Sequence, residues 1–288
     1  MSRAAGATRS STARRISEPN ADNPVRSARL TSQYLQPIHR VTNACTGALL
    51  FLASSCLLLA EDRIIVIDPG HGGRADSGNQ KEFTLSASNN AKSPSGLLEK
   101  DLTLELSLEI SRKVEELAKK RDGNAKVRCV LTRTKDANPD FAERAAFCAA
   151  LPVTPSAIIS IHFNASTRHD ALGSLCLIRQ KGKNPRFAED SDFAMGLAKA
   201  AGSAVSRYVP GSNARKPITD ENLHGGLGSN FLHQLAQHRK LDRVPKCFLE
   251  VEFMDRADVE NTLLKNRRVT FPAVAKAIAE YLVAQISD

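Results

Sequence analysis

The 288-residue sequence predicts a single three-layer α/β domain, a mostly parallel central sheet flanked by helices, behind a disordered N-terminal tail and one apolar export segment. Two runs, Ile64-Ile65-Val66-Ile67 and Ala157-Ile158-Ile159-Ser160-Ile161, have the length and β-branched content of strands buried on both faces. From Arg63 onward such runs alternate with stretches of helical period, the pattern of a sheet covered by crossover helices. Leu102, Leu106, Ile110, Val114 and Leu117, at steps of three and four residues, put one apolar stripe on a helix.

In chain order, residues 1–43 are rich in Ser, Arg, Ala, Asn and Pro without an apolar period, and read as a disordered basic tail. Residues 44–60 follow as a 17-residue run with no charge, preceded by Arg40 and followed by Glu61-Asp62. A signal-peptide core, a short membrane anchor and a buried helix are the choices. Spanning helices take roughly 18 or more apolar residues and signal cores about 7–15, so the run lies between the two. A buried helix normally carries polar positions at helical spacing, and their absence here favours export. Ala60 offers a small residue for cleavage but Leu58 is a mediocre partner, while Ala53-Ser54-Ser55-Cys56 only faintly resembles a lipoprotein acceptor. Upstream positive charge puts the N-terminus in the cytoplasm and the remainder outside, in the periplasm or cell envelope.

Residues 63–288 hold the domain. Strands are expected at 63–68, 126–132, 156–163, 173–179 and 246–253, and long helices at 100–120, 190–208 and 267–286. The last helix presents Phe271, Val274, Ile278 and Leu282 on one face. Arg74 to Ser95 is polar and Ser/Asn-rich, and reads as an exposed loop.

The formal charge of +9 is unevenly spread. Residues 1–60 carry seven Arg against Glu18 and Asp22, a net of +5, and residues 61–288 carry 33 Lys and Arg against 29 acids, a net of +4. With no Trp and three Tyr there is no stacking platform for single strands, so nucleic acid is not an expected partner. The mild basicity suits an anionic wall polymer or a membrane, and equally an ordinary solvated surface. None of the six cysteines forms a C-x-x-C pair, so neither a zinc ribbon nor a redox motif is indicated. Three of the four in the globular part sit in expected strands, where free Cys packs as a small hydrophobe.

The chemistry gathers at strand ends. His71 follows the first strand in Asp68-Pro69-Gly70-His71-Gly72-Gly73, and His162 ends the third in Ser160-Ile161-His162-Phe163-Asn164. In an open α/β sheet that edge is where ligands bind. Glu99, at the start of the 100–120 helix, can add an oxygen to the two nitrogens, a set suited to catalytic zinc with a further position left open. Each residue alone also reads as a satisfied core or surface side chain, and the three form no compact sequence pattern. His169, His224, His233 and His238 lie in polar contexts and are not expected ligands. Glu250 and Glu252, in Cys247-Phe248-Leu249-Glu250-Val251-Glu252-Phe253, are expected to share one strand face. Buried carboxylates are costly unless paired, and one beside a metal can serve as a general base. A solvated edge strand is the alternative, against which the surrounding apolar residues count.

Together these motifs resemble the zinc-dependent N-acetylmuramoyl-L-alanine amidases of the amidase-3 type, bacterial cell-wall hydrolases. The resemblance runs from about Arg63 to Ile286. It is carried in order by Ile67–Gly73, Leu98-Glu99-Lys100-Asp101-Leu102, Leu131-Thr132-Arg133, Glu143-Arg144-Ala145 on a helix, Ser160–Ala165, and Leu249-Glu250-Val251 with Phe253. It implies cleavage of the amide between N-acetylmuramic acid and L-alanine of the peptidoglycan stem. It also implies one Zn2+ per chain on His71, Glu99 and His162, with Glu250 as the catalytic glutamate. Arg133 and Arg144 match positions expected to hold loops, and Asn164 is expected to orient His162 or touch substrate.

Three departures from the family pattern stand out: Glu252 where a glycine is usual, an insertion around Asn79–Pro94, and Leu223-His224-Gly225-Gly226 in place of an Arg-Gly approach to the last strand. The competing readings are a related zinc amidohydrolase or peptidase with a different amide substrate, and a catalytically silent wall-binding regulator. A silent member is expected to lack a ligand or the glutamate, and none is missing. No separate wall-binding repeat is visible, so targeting falls to the anchor, the tail or a regulatory protein partner.

Overall fold

The computed structural model describes residues 63–74, 85–122, 127–221, 223 and 228–286. The expectations for residues 1–43 and 44–60 lie outside these, as do residues 75–84 and His224. In chain order the elements are β1 (Arg63–Pro69), α1 (Glu99–Asp122), β2 (Val127–Leu131), α2 (Phe141–Ala150), β3 (Ala157–Asn164) and β4 (Leu175–Ile178). They continue with α3 (Phe187–Val205), β5 (Ile218–Thr219), α4 (Asn230–Leu235), β6 (Lys246–Phe253), α5 (Ala257–Val259) and α6 (Arg267–Gln285). Among the described residues, no helix is long and apolar enough to cross a membrane.

Six strands form one sheet in the order β2-β1-β3-β6-β4-β5. All neighbours run parallel except β4 and β6, so the sheet is mixed. The reversal has a local cause. The link from β3 to β4, residues 165–174, contains no helix, whereas a parallel return needs a crossover of about a dozen or more residues. Strand β5 has only two residues and α4 only six, too short to leave a period in the sequence. Helix α2 starts at a reciprocal capping box, with Asp140 accepting from the Glu143 amide and Glu143 accepting from the Asp140 amide.

Strand alternation builds the three layers. Ile65, Ile67, Ile159 and Ile161 pack toward α1, α3 and α6, while Ile64, Val66 and Ile158 pack with residues of α2 and α4. The expected stripes of α1 and α6 are those buried in the first layer. Because β2 lies on one side of β1 and β3 on the other, α1 and α2 cover opposite faces. The carboxyl ends of β1 and β3 therefore flank a topological switch point, the usual ligand crevice of such sheets.

Candidate metal centre

Pro69 ends β1, and the chain turns at once through Gly70 and His71. His71 sits at φ 61, a left-handed conformation uncommon for a residue with a side chain. The turn is held from below. Arg144, almost wholly buried, donates to Asp68 Oδ1 at 2.7 Å, to the Pro69 carbonyl at 2.9 Å and to the His71 carbonyl at 2.8 Å. Arg133 donates to the carbonyls of Pro69 at 2.9 Å, Gly70 at 2.8 Å and Lys100 at 2.7 Å. Asp68 also accepts from Ser160 Oγ at 2.6 Å and from Thr132 Oγ1. Burial alone would raise the Asp68 pKa, but Arg144 and these hydroxyls outweigh it and hold it below the usual carboxylate value.

On this support two histidines meet one carboxylate. His71 Nε2 lies 3.1 Å from Glu99 Oε2, and His162 Nδ1 lies 2.9 Å from Glu99 Oε1. His71 Nδ1 is 2.9 Å from the Ala87 carbonyl, which can only accept; Nδ1 is therefore the protonated nitrogen in the neutral ring and Nε2 carries the lone pair. Glu99 also accepts from the amides of Ala91 at 3.1 Å and Phe163 at 3.2 Å. The His162 ring stacks on Phe248 at 3.8 Å between centroids and stands edge-on to His71 at 4.7 Å. A Cβ on Gly70 would come within 2.2 Å of that ring, so only glycine lets β1 approach it so closely.

All three side chains are buried, and one donor atom from each falls within 4.8 Å of the others. Burial pushes the His162 pKa down to about 4, with His71 adding to the fall and Glu99 opposing it. For His71 burial acts downward too, but the Glu99 charge and hydrogen bonds leave the value raised. Glu99 itself is lowered, its burial outweighed by His71 and His162. Two imidazoles and a carboxylate converging in a buried pocket fit a divalent cation of borderline softness.

Glu250 pairs in register with His162 across β3 and β6. Its Oε2 is buried without a hydrogen-bond partner, and burial followed by the Glu99 charge raises its pKa well above the usual carboxylate range. A buried, unpaired carboxylate next to a candidate cation site is what a general base requires.

Glu252 does not share that face, contrary to expectation. The ladder runs His162 to Glu250 and then Asn164 to Phe253, so a β-bulge inserts one residue between them. Glu252 instead binds the amides of Gly173 at 2.7 Å and Phe253 at 2.8 Å and the Ser212 hydroxyl. It is fully buried, holds the β3–β4 link, and does not line the cavity.

The cavity above the cluster has a volume of about 520 Å³. His71, Glu99, His162, Glu250 and Asn164 line it, and Arg133 does not. Asn164 Oδ1 is engaged by the Ala165 amide at 2.8 Å. Wall residues that the sequence did not single out include Phe141, Phe248, Ser229 and Asn230. Phe248 was visible only as a strand residue next but one to Glu250, and Asn230 had no signal at all. None of His169, His233 and His238 belongs to the cluster; His169 pairs with Asp255 at 2.7 Å.

The exposed-loop expectation for Arg74 to Ser95 holds only in part over its described residues: Arg74, Asn90, Lys92, Pro94 and Ser95 are exposed. Ser86, Ser88, Ala91 and Ser93 are buried, and the backbone there binds His71, Gly72 and Glu99. Several of its backbone groups are thus bonded within the protein. Asn138 Nδ2, for instance, donates to the Ser86 carbonyl at 2.8 Å.

A three-layer α/β fold bearing a buried His-Glu-His cluster and an adjacent unpaired glutamate defines a hydrolase site with the means to hold a metal. The chain belongs to the N-acetylmuramoyl-L-alanine amidase family, Amidase_3, whose profile matches residues 65–283. It is accordingly an N-acetylmuramoyl-L-alanine amidase, a peptidoglycan hydrolase. Solved structures share the fold. The amidase AmiC2 of Nostoc punctiforme is 23% identical with a TM-score of 0.54, over 80% of this chain and 99% of that one. Ami1 of Mycobacterium smegmatis is 21% identical with a TM-score of 0.54, over 79% and 98%. An amidase of Clostridium difficile 630 is 20% identical with a TM-score of 0.53, over 79% and 98%. No curated protein sequence matches the chain.

Proposed function

We infer that this amidase is an exported, zinc-dependent enzyme in which His71, Glu99 and His162 hold the ion and Glu250 is the general base and acid. The observation that carries this reading is the buried cluster with Glu250 in register beside it. Zinc bound there would supply the positive charge that polarises the scissile carbonyl and acidifies water. Glu250 takes the proton from the attacking water and delivers it to the departing L-alanine nitrogen. Its raised proton affinity suits the second half of that cycle, and its burial shields the proton from bulk solvent. Gly70 allows His162 to close on the cluster, and Arg144 and Arg133 keep the His71 turn from shifting. Export is supported by the uncharged 44–60 run behind a tail of +5, and anchoring through that run would keep the enzyme near its polymer.

Mass spectrometry of purified sacculi digested with the zinc-loaded protein tests the reaction. Free stem peptides with a new L-alanine N-terminus and peptide-free glycan strands are expected. Intact muramyl-alanine linkages with cut cross-links would show an endopeptidase instead.

A further inference from the structure

Most polar side chains on the cavity wall have a settled partner. His71 and His162 meet Glu99, Asn164 Oδ1 takes the Ala165 amide, and Ser229 Oγ takes the Leu232 amide as the cap of α4. Two residues of that wall carry a buried oxygen without one: Glu250 at Oε2, which the reaction uses, and Asn230 at Oδ1. Asn230 is 8% exposed, so its carbonyl is largely withdrawn from water as well. Buried acceptors are normally satisfied, and an orphan on a residue that lines a ligand cavity can be met by a donor that the ligand brings.

The backbone on either side of the residue is also held. Ser229 N donates to Asp220 Oδ2 at 2.7 Å, and the other Asp220 oxygen accepts from Gln180 N at 2.9 Å. Gly228, at φ +91, lies so close to Asp220 that a Cβ would come within 2.7 Å of its Oδ2. Phe231, Leu232 and Leu235 are buried in the second core and fix α4 against the sheet. The backbone that carries Asn230 is therefore fixed beside the cavity, as a specificity contact needs.

We propose that Asn230 is a substrate-binding residue whose Oδ1 accepts the N–H of a secondary amide in the substrate other than the scissile one. This rests on the amidase reading of the site. The side chain is an amide and not a carboxylate for an electrostatic reason: Glu99 and Glu250 already bring two acidic groups to this cavity, and a neutral acceptor adds none. Two parts of a muramyl peptide offer such an N–H, the acetamido group of the sugar and the first peptide bond within the stem. Both are the same chemistry, and substrate analogues separate them.

The test is steady-state kinetics of the zinc-loaded protein on a soluble muramyl dipeptide, for wild type, Asn230→Ala and the near-isosteric Asn230→Leu. KM is expected to rise roughly tenfold in both variants with kcat little changed, since an interaction made equally in ground and transition states is lost. Zinc content should stay at the wild-type value and the melting temperature should not fall, because the free protein loses no hydrogen bond. A merely structural asparagine would lower the melting temperature and leave KM alone, and that result overturns the proposal. Two further substrates replace one N–H by an ester oxygen, as a 2-O-acetyl sugar or as a depsipeptide stem. The wild type should lose roughly tenfold on one of them while Asn230→Ala loses nothing more, which identifies the donor. Equal losses in wild type and variant on both analogues would also overturn it. If the wild type cuts the dipeptide but the variants match it, this assignment alone fails; if the wild type leaves the lactyl amide intact, the amidase reading fails with it.

Discussion

Arg144 and Asp68 form a buried ion pair, Nη1 to Oδ1 at 2.7 Å, directly beneath the turn that carries His71. The second Arg144 nitrogen reaches the His71 carbonyl, so one guanidinium ties β1, the His71 turn and α2 together. Such a pair does not make the protein stable by its Coulomb energy alone, since both charges lose hydration on burial. Its value is geometric: it fixes a left-handed histidine in one place.

The pair predicts a stability defect with a pH signature. Arg144→Leu leaves Asp68 charged and buried, and should lower stability by about 3–5 kcal/mol in denaturant unfolding. The folded Asp68 pKa lies below its ordinary 3.8, so its contribution is present above about pH 4 and is lost as pH falls through the folded value. Adding Asp68→Asn to Arg144→Leu should cost less than the sum of the single changes. Additive losses would show that the two side chains do not act as a unit.

If His71 and His162 hold the ion, metal retention should depend on them and on Gly70, which lies against the His162 ring. His71→Ala and His162→Ala should each remove bound zinc, read by elemental analysis of protein loaded at one equivalent. Gly70→Ala changes no ligand, yet its Cβ would meet the His162 ring at 2.2 Å and should weaken zinc retention to a similar degree. Wild-type zinc content in all three variants would refute the assignment.

Strand polarity, β-branched runs and helical stripes made the core legible: the observed β1, β3, β6, α1 and α6 lie within a few residues of their expected bounds. Long-range amide bonds were not legible. Ala87 and Ala91 serve His71 and Glu99 through backbone groups, which leave no trace in side-chain chemistry, so the buried part of the Ser/Asn-rich segment around them does not show in the sequence. The β-bulge at β6 was equally hidden, because strict alternation puts Glu250 and Glu252 together and only the register with β3 separates them. The candidate ligands His71 and His162 stand out because a histidine at a strand end, in one case among glycines, carries a chemical signal of its own.

Glu252 illustrates the difference by its expected behaviour. Its carboxylate is shared by two amides and a hydroxyl away from the cavity, so Glu252→Ala should leave those donors unpaired. Losses of about 1–3 kcal/mol in stability are expected for each unsatisfied group, with kcat retained in the folded fraction. Glu252→Gln keeps one oxygen and should fall between the two. A large fall in kcat with unchanged stability would place Glu252 in the reaction.

Glu250 should show the opposite pattern. Glu250→Gln removes a carboxylate that has no protein partner to lose at Oε2, so the fold and the bound zinc should survive while the rate falls by about 10²-fold or more. A base must be ionised to accept a proton, and burial together with the Glu99 charge raises the Glu250 pKa from its ordinary 4.5. In the wild type, kcat/KM should therefore decline on the acid side at a pH above that ordinary value, and the decline should be absent from the residual activity of Glu250→Gln. A bound cation would draw the limb back toward lower pH, so its position should move when zinc is exchanged for another divalent ion. An unchanged acid limb in Glu250→Gln would mean that another group carries the proton.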